Sequence, residues 1–118
     1  MNKRTFALTL ALLVLATAAF AGAVKPPVKQ VESKKVCMIN EHYMQKDQIP
    51  VEVEGKTYYG CCDMCKKALA ADASKRSAVD PVSGKKVDKA TAIIAADAEG
   101  NVVYFENAKN LEAFNAAK

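Results

Sequence analysis

Four cysteines stand in a spacing that is typical of a thiolate metal site. Cys37 is followed, after 23 residues, by Cys61, Cys62 and Cys65, which fall within five positions. We call these last three residues the knuckle. Thiolates are preferred ligands of soft and borderline metal ions. The sequence therefore predicts a site for Cu(I) or Zn(II) with Cys37, Cys61, Cys62 and Cys65 as its candidate ligands.

The elements around the knuckle must bring Cys37 to it. Residues 51–54 alternate apolar and charged side chains, which predicts a half-buried strand, and a turn at Gly55 leads into a returning strand at residues 57–59. Asp63 is a plausible N-cap for a helix over residues 64–74. Because the hairpin returns the chain to its start, we expect Cys37 to meet the knuckle at the helix N-terminus, where the helix dipole favours thiolates.

Three thiolates around one ion leave a coordination position open for a fourth ligand. Cys62 is one candidate, although the side chains of adjacent residues diverge, and His42, the single histidine, is another. Three methionines could supply a thioether ligand: Met38, Met44 and Met64. The ordinary role of methionine, however, is core packing. Three thiolates with a methionine favour Cu(I), whereas four ligands that include Cys62 or His42 favour Zn(II).

The second half of the chain repeats the order of strand, turn, strand and helix. Residues 93–96 and 102–105 predict strands around a turn at Gly100, and Asn107 predicts the N-cap of a helix. A shift of 45 residues aligns the two halves, and it places the knuckle on residues without a thiol: Glu106, Asn107 and Asn110. With one extra residue upstream, Cys37 falls on Ser83. We expect an internal duplication whose second copy binds no soft metal and completes the core of the first.

These motifs resemble two related families. The first half resembles the TRASH domain, which is associated with heavy-metal sensing, trafficking and resistance. The resemblance consists of a cysteine, a long spacer and a C-x3-C motif that follows Tyr58-Tyr59. Residues 80–84, Tyr104-Phe105 and residues 110–114 resemble the YHS domain, with Ser83 and Glu106 in place of its cysteines. The resemblance implies an α+β fold of two small treble-clef-like modules, each a β-hairpin followed by a helix. It also implies Cys37, Cys61 and Cys65 as metal ligands.

The N-terminus has the pattern of a secretory signal peptide. Lys3 and Arg4 precede an apolar run over residues 6–16, and Ala21-Gly22-Ala23 fits a signal-peptidase site. The predicted organisation is a signal peptide over residues 1–23, a flexible linker over 24–35, a TRASH-like module over 36–76 and a YHS-like module over 77–118. We expect a bacterial periplasmic or secreted protein that has no membrane span after cleavage.

Other function classes receive less support. The formal net charge of +4 is too small to indicate nucleic-acid binding. No catalytic constellation is present, so we expect a binding protein whose partners are the metal ion and a metal transporter or acceptor protein. One alternative is a disulfide-stapled structural module in which Cys37 pairs with a knuckle cysteine. Another is a thiol–disulfide redox protein that uses Cys62 and Cys65, although no thioredoxin-like pattern surrounds them.

Overall fold

The structure, a computed structural model, describes residues 27–117, so the predicted signal peptide over residues 1–23 lies outside the described residues. The fold is α+β, as predicted. Its strands are β1 Lys29–Gln30, β2 Val36–Cys37, β3 His42–Tyr43, β4 Ile49–Val53, β5 Lys56–Gly60, β6 Ser77–Val79, β7 Lys86–Asp88, β8 Ile93–Ala96 and β9 Val102–Phe105. Its helices are α1 Asp63–Ala71 and α2 Ala108–Ala116, and short 3₁₀ turns cover Ser33–Lys35 and Ala73–Arg76.

The first module is built on the hairpin β4–β5, which places Val51 opposite Tyr58. Its two-residue turn has positive φ at Glu54 (53°) and Gly55 (78°), the backbone that suits the right-handed twist of a tight hairpin. The predicted strands are confirmed: β4 begins two residues and ends one residue earlier than expected, and β5 is longer by one residue at each end.

The helix that follows this hairpin begins and ends earlier than predicted. Cys62, not Asp63, is the N-cap, and Asp63 is the first helical residue. The helix ends at Ala71 because Asp72 turns its carboxylate onto the backbone N–H of Ser74 at 2.9 Å and begins a 3₁₀ turn. The predicted helical continuation to Ser74 is therefore wrong.

The second module repeats the first with the spacing that the sequence predicts. Strands β8 and β9 have the predicted bounds, and the Asn107 side chain caps α2 by accepting from the backbone N–H of Asn110 at 2.8 Å. Helices α1 and α2 are both nine residues long and begin 45 positions apart. Their N-caps, Cys62 and Asn107, have nearly the same backbone angles, with φ of −155° and −157°.

The flexible linker predicted over residues 24–35 is wrong for the part that the structure describes. Lys29 and Gln30 form β1, which pairs antiparallel with β8 and extends the β8–β9 hairpin to three strands. Val28 is buried against Phe105 and Leu111 in a small second core. The order of this segment comes from contacts with residues far along the chain, so local periodicity in the sequence does not reveal it.

The main core joins the two modules. It contains Val36, Met38, Val51, Tyr58 and Leu69 from the first module with Ile94 and Tyr104 from the second. This confirms the expectation that the second module completes the core of the first. Neither helix in the described part of the chain is long and apolar enough to cross a membrane.

Candidate metal centre

Three of the four cysteines converge where two antiparallel strand pairs of the first module meet, β2–β3 and β4–β5. The sulfur of Cys65 lies 3.9 Å from that of Cys37 and 3.6 Å from that of Cys61, and all three sulfurs lie within 4.8 Å of one another. Cys37 ends β2, Cys61 follows β5, and Cys65 lies in the first turn of α1. A backbone hydrogen bond of 2.9 Å from Met38 to Tyr59 holds the end of β2 against β5.

The sulfur separations fit a single metal ion. Thiolates at a metal–sulfur distance of roughly 2.3 Å would lie about 3.8 Å apart in a tetrahedron and about 4.0 Å apart in a trigonal plane. The separations of 3.6 and 3.9 Å from Cys65 to Cys61 and Cys37 are close to both geometries, and the third pair lies within 4.8 Å. The three cysteines can therefore hold a thiophilic ion with little movement of the backbone, and the separations alone do not favour one coordination number.

Gly60 permits the close packing of the knuckle, a role that the sequence analysis missed. A Cβ atom added to Gly60 would lie 2.8 Å from Cβ of Cys65 and 3.3 Å from its carbonyl carbon. Real Cβ atoms do not approach so closely, so any larger residue would push β5 away from α1. The sequence signal for this role was a glycine directly before the cysteines.

Asn40 is a second site residue that the sequence analysis missed. Its backbone N–H donates to the sulfur of Cys37 at 3.4 Å, and its side-chain Nδ2 donates to the sulfur of Cys61 at 3.3 Å. One residue thus links two of the three sulfurs. Donors aimed at sulfur stabilise the thiolate that a metal requires.

The pKa values of the three thiols differ in direction. Burial raises the pKa of Cys37, but the backbone N–H groups of Asn40 and Ile39 oppose it, and the net direction is downward. Burial, together with the neighbouring sulfurs of Cys62 and Cys61, raises the pKa of Cys65 to about 12. The pKa of Cys61 is raised chiefly by its contact with the sulfur of Cys37. In the metal-free protein, Cys61 and Cys65 therefore carry protons that an incoming metal must displace.

Cys62 is close to this group but not part of it. Its sulfur lies 3.4 Å from that of Cys65, and its side chain is exposed. Within residues 27–117, the set of ligand atoms that lie within 4.8 Å of one another consists of Cys37, Cys61 and Cys65. As the N-cap of α1, Cys62 has its pKa lowered first by the backbone N–H of Cys65. It is thus an accessible thiol beside the group, in the place of a fourth or exchanging ligand.

Of the other ligand candidates, His42 lies outside the cysteine group, and the three methionines differ in burial. The ring of His42 lies against Gly100, where an added Cβ atom would be 2.6 Å from Cε1 of the ring. Met38 is fully buried in the main core, and its sulfur accepts from the backbone N–H of Tyr59 at 3.5 Å. Met44 is half-buried, and the Met64 side chain is 80% exposed. The ordinary packing role expected for methionine holds for Met38.

In the second module, a carboxylate links the residues that align with the metal-site cysteines. Asp80 is fully buried, and its Oδ2 accepts from the backbone N–H of Glu106 at 2.7 Å and from Nδ2 of Asn110 at 2.8 Å. Its Oδ1 accepts from the backbone N–H of Ser83 at 3.2 Å. These three partners are the counterparts of Cys61, Cys65 and Cys37. The second module thus closes with hydrogen bonds at the position where the first has three sulfurs.

The chain matches no family model, no curated protein and no solved structure.

Proposed function

We propose that this protein binds one Cu(I) ion through Cys37, Cys61 and Cys65, with Zn(II) as the alternative ion. The observation that supports this most strongly is the convergence of three sulfurs within 4.8 Å of one another, from three different elements of the fold. All four cysteines are free of disulfide bonds, so each can lose its proton and give the thiolate that binds metal.

Cu(I) is favoured by the number of ligands. Three thiolates complete a trigonal site for a soft monovalent ion, whereas a structural Zn(II) site takes four ligands. For Zn(II), Cys62 would have to turn toward the group, or water would fill the fourth position. The sulfur of Met38 accepts the backbone N–H of Tyr59 at 3.5 Å, which supports a packing role for Met38 rather than a ligand role.

The proposed role is carriage, buffering or resistance rather than catalysis. Cys61 is half-buried and Cys62 is exposed, so a ligand from another protein can approach an ion at the site from one side. Met64, which stands between Cys62 and Cys65 in the sequence, is also exposed. Together with the predicted signal peptide and the resemblance to TRASH and YHS domains, this supports an exported protein that passes its metal to a transporter or acceptor protein.

The test is a Cu(I) titration in competition with bicinchoninate under anaerobic, reducing conditions. We expect one equivalent bound by the wild type, and loss of that equivalent in Cys37→Ser, Cys61→Ser and Cys65→Ser. Ser83→Ala is the matched control, because Ser83 is the counterpart of Cys37 in the module without thiols. Full binding in all three cysteine variants would overturn the proposal.

The disulfide alternative has its own readout. Native mass spectrometry of protein purified anaerobically from periplasm should show four unoxidised cysteines. A metal-free mass that lacks two hydrogen atoms per disulfide would favour the stapled module instead. Recovery of a mature chain that begins at Val24 would support export, and recovery of the intact chain from the cytoplasm would contradict it.

A further inference from the structure

The loop that carries two site residues is held by the second module. This ligand loop, residues 37–42, runs from Cys37 past Asn40 to the start of β3. Asn40 donates to two of the three sulfurs, so the position of the loop sets the geometry of the site. Glu41 has a positive φ of 55°, a conformation that needs support from surrounding contacts.

Backbone contacts from β9 and the turn before it fix the far end of this loop. The N–H of Tyr43 donates to the carbonyl of Gly100 at 2.8 Å, and the N–H of Val102 donates to the carbonyl of Glu41 at 3.3 Å. The absence of a side chain at Gly100 leaves room for the His42 ring. These contacts attach the loop to the turn between β8 and β9.

Lys89, which follows β7, contacts the loop near both of its ends. Only 4% of this lysine is exposed, and its ammonium donates to the carbonyl of Met38 at 2.8 Å and forms an ion pair with Glu41. It also lies 5.2 Å from the centre of the Tyr104 ring, within the range of a cation–π contact.

A lysine in this position needs a compensating role. Burying an ammonium ion is costly unless it is paired and hydrogen-bonded, and lysine is rarely found buried. The partners of Lys89 are the residue next to Cys37 and the residue next to Asn40. The ammonium therefore fixes the backbone beside Cys37, which supplies a sulfur, and beside Asn40, whose amide groups donate to two sulfurs.

We propose that Lys89 is a positioning residue for the thiolate site, through which the second module sets the metal affinity of the first. The inference rests on the proposed function for its metal readout. It adds that the module without thiols acts on metal binding through a named contact, in addition to its contribution to the core.

The test compares Lys89→Met with Lys86→Met in the full-length protein. Methionine keeps most of the apolar length of lysine and removes the ammonium, and Lys86 is an exposed lysine three positions away. By bicinchoninate competition, we expect at least a tenfold loss of Cu(I) affinity in Lys89→Met and less than a twofold change in Lys86→Met. Equal affinities in the wild type and Lys89→Met would overturn the proposal.

A second readout separates this inference from the proposed function. In the reduced, metal-free protein, Cys37 is fully buried, and its alkylation by iodoacetamide reports loop order without any metal. We expect alkylation of Cys37 to be at least tenfold faster in Lys89→Met, with faster amide exchange across residues 38–43. If the wild type binds no Cu(I), the proposed function fails, while unchanged alkylation would refute the role of Lys89 by itself.

Two further variants exclude a general loss of stability. Phe114→Leu weakens the second core, where Phe114 packs edge-on against Phe105, and it is far in sequence from the ligand loop. It should lower the melting temperature and leave the Cu(I) affinity within twofold. An equal loss of affinity in this variant would contradict a specific role for Lys89.

If Lys89→Met does not fold, Glu41→Gln weakens the same ion pair. We then expect about threefold weaker Cu(I) binding with faster alkylation of Cys37. No change in either measurement would overturn the proposal.

Discussion

The carboxylate of Asp80 accepts a hydrogen bond of 2.8 Å from Nδ2 of Asn110, and Asn110 stands 45 positions after Cys65, in the same turn of the equivalent helix. A side chain from the start of the module thus reaches the first helical turn in both halves, by a hydrogen bond in one and by a sulfur–sulfur contact in the other. The two modules close the same junction with different chemistry. We therefore expect the first to depend on metal for part of its stability and the second to depend on Asp80.

Replacing Asp80 with asparagine should destabilise the protein. The asparagine side chain loses one acceptor oxygen and leaves two N–H donors without their partner, and each unsatisfied donor costs about 1–3 kcal/mol of unfolding free energy. Burial raises the pKa of Asp80, but the hydrogen bonds from Glu106, Asn110, Val82 and Ser83 lower it to about 2. Because the folded pKa lies below the unfolded value, the stabilisation is complete above about pH 4 and is lost as the pH falls toward 2.

Urea unfolding at several pH values measures this effect. The wild type should lose stability between pH 4 and pH 2, and Asp80→Asn should lose less across that interval while being less stable at pH 7. Equal stability of the two proteins at pH 7 would refute the structural role of Asp80.

Gly60→Ala should weaken metal binding. The added methyl group would meet Cβ of Cys65 at 2.8 Å, so β5 and α1 must separate, and the sulfurs of Cys61 and Cys65 move with them. We expect at least a tenfold loss of Cu(I) affinity by chelator competition. Gly55→Ala is the control: a positive φ of 78° makes alanine unfavourable there by about 1 kcal/mol, and the position is open and far from the knuckle in the hairpin. An equal loss of affinity in both variants would show that general destabilisation, and not the knuckle, is responsible.

Metal affinity should rise steeply with pH. The pKa values of Cys61 and Cys65 are raised above the ordinary value of 9.0, so both thiols are protonated between pH 6 and pH 8 and must release their protons on binding. Each released proton makes the apparent affinity about tenfold stronger per pH unit, so the protons of Cys61 and Cys65 give at least about 100-fold per unit. Competition titrations at pH 6, 7 and 8 measure the slope, and an affinity independent of pH would mean that these thiols do not bind the metal.

Cys62→Ser should retain one equivalent of Cu(I) with an affinity within about fivefold of the wild type, since the sulfur of Cys62 lies outside the group of three. The exposed thiol should instead affect exchange, and we expect slower transfer of the ion to a small dithiol competitor in this variant. Loss of the bound equivalent in Cys62→Ser would make Cys62 a ligand and favour a four-coordinate Zn(II) site.

Local sequence patterns predicted the hairpins and the helices, because alternation at residues 51–54 and a capping asparagine at position 107 act over a few residues. The convergence of Cys37 with the knuckle also followed from the hairpin. The pairing of Lys29 with Ala96, the burial of Lys89 and the amide contacts of Asn40 did not, because they depend on residues that are distant in the chain or on side-chain direction. The N-cap was misplaced by one residue because Asp63 is a stronger capping residue than the cysteine that occupies the position.

The most direct test of the central claim is X-ray absorption fine structure at the metal edge of the protein loaded with one equivalent of Cu(I). We expect a shell of three sulfur atoms at roughly 2.3 Å with no nitrogen or oxygen ligand. The same shell should lose one sulfur in Cys65→Ser if any metal remains bound. A shell dominated by nitrogen or oxygen in the wild type, or an ion removed by desalting alone, would contradict it.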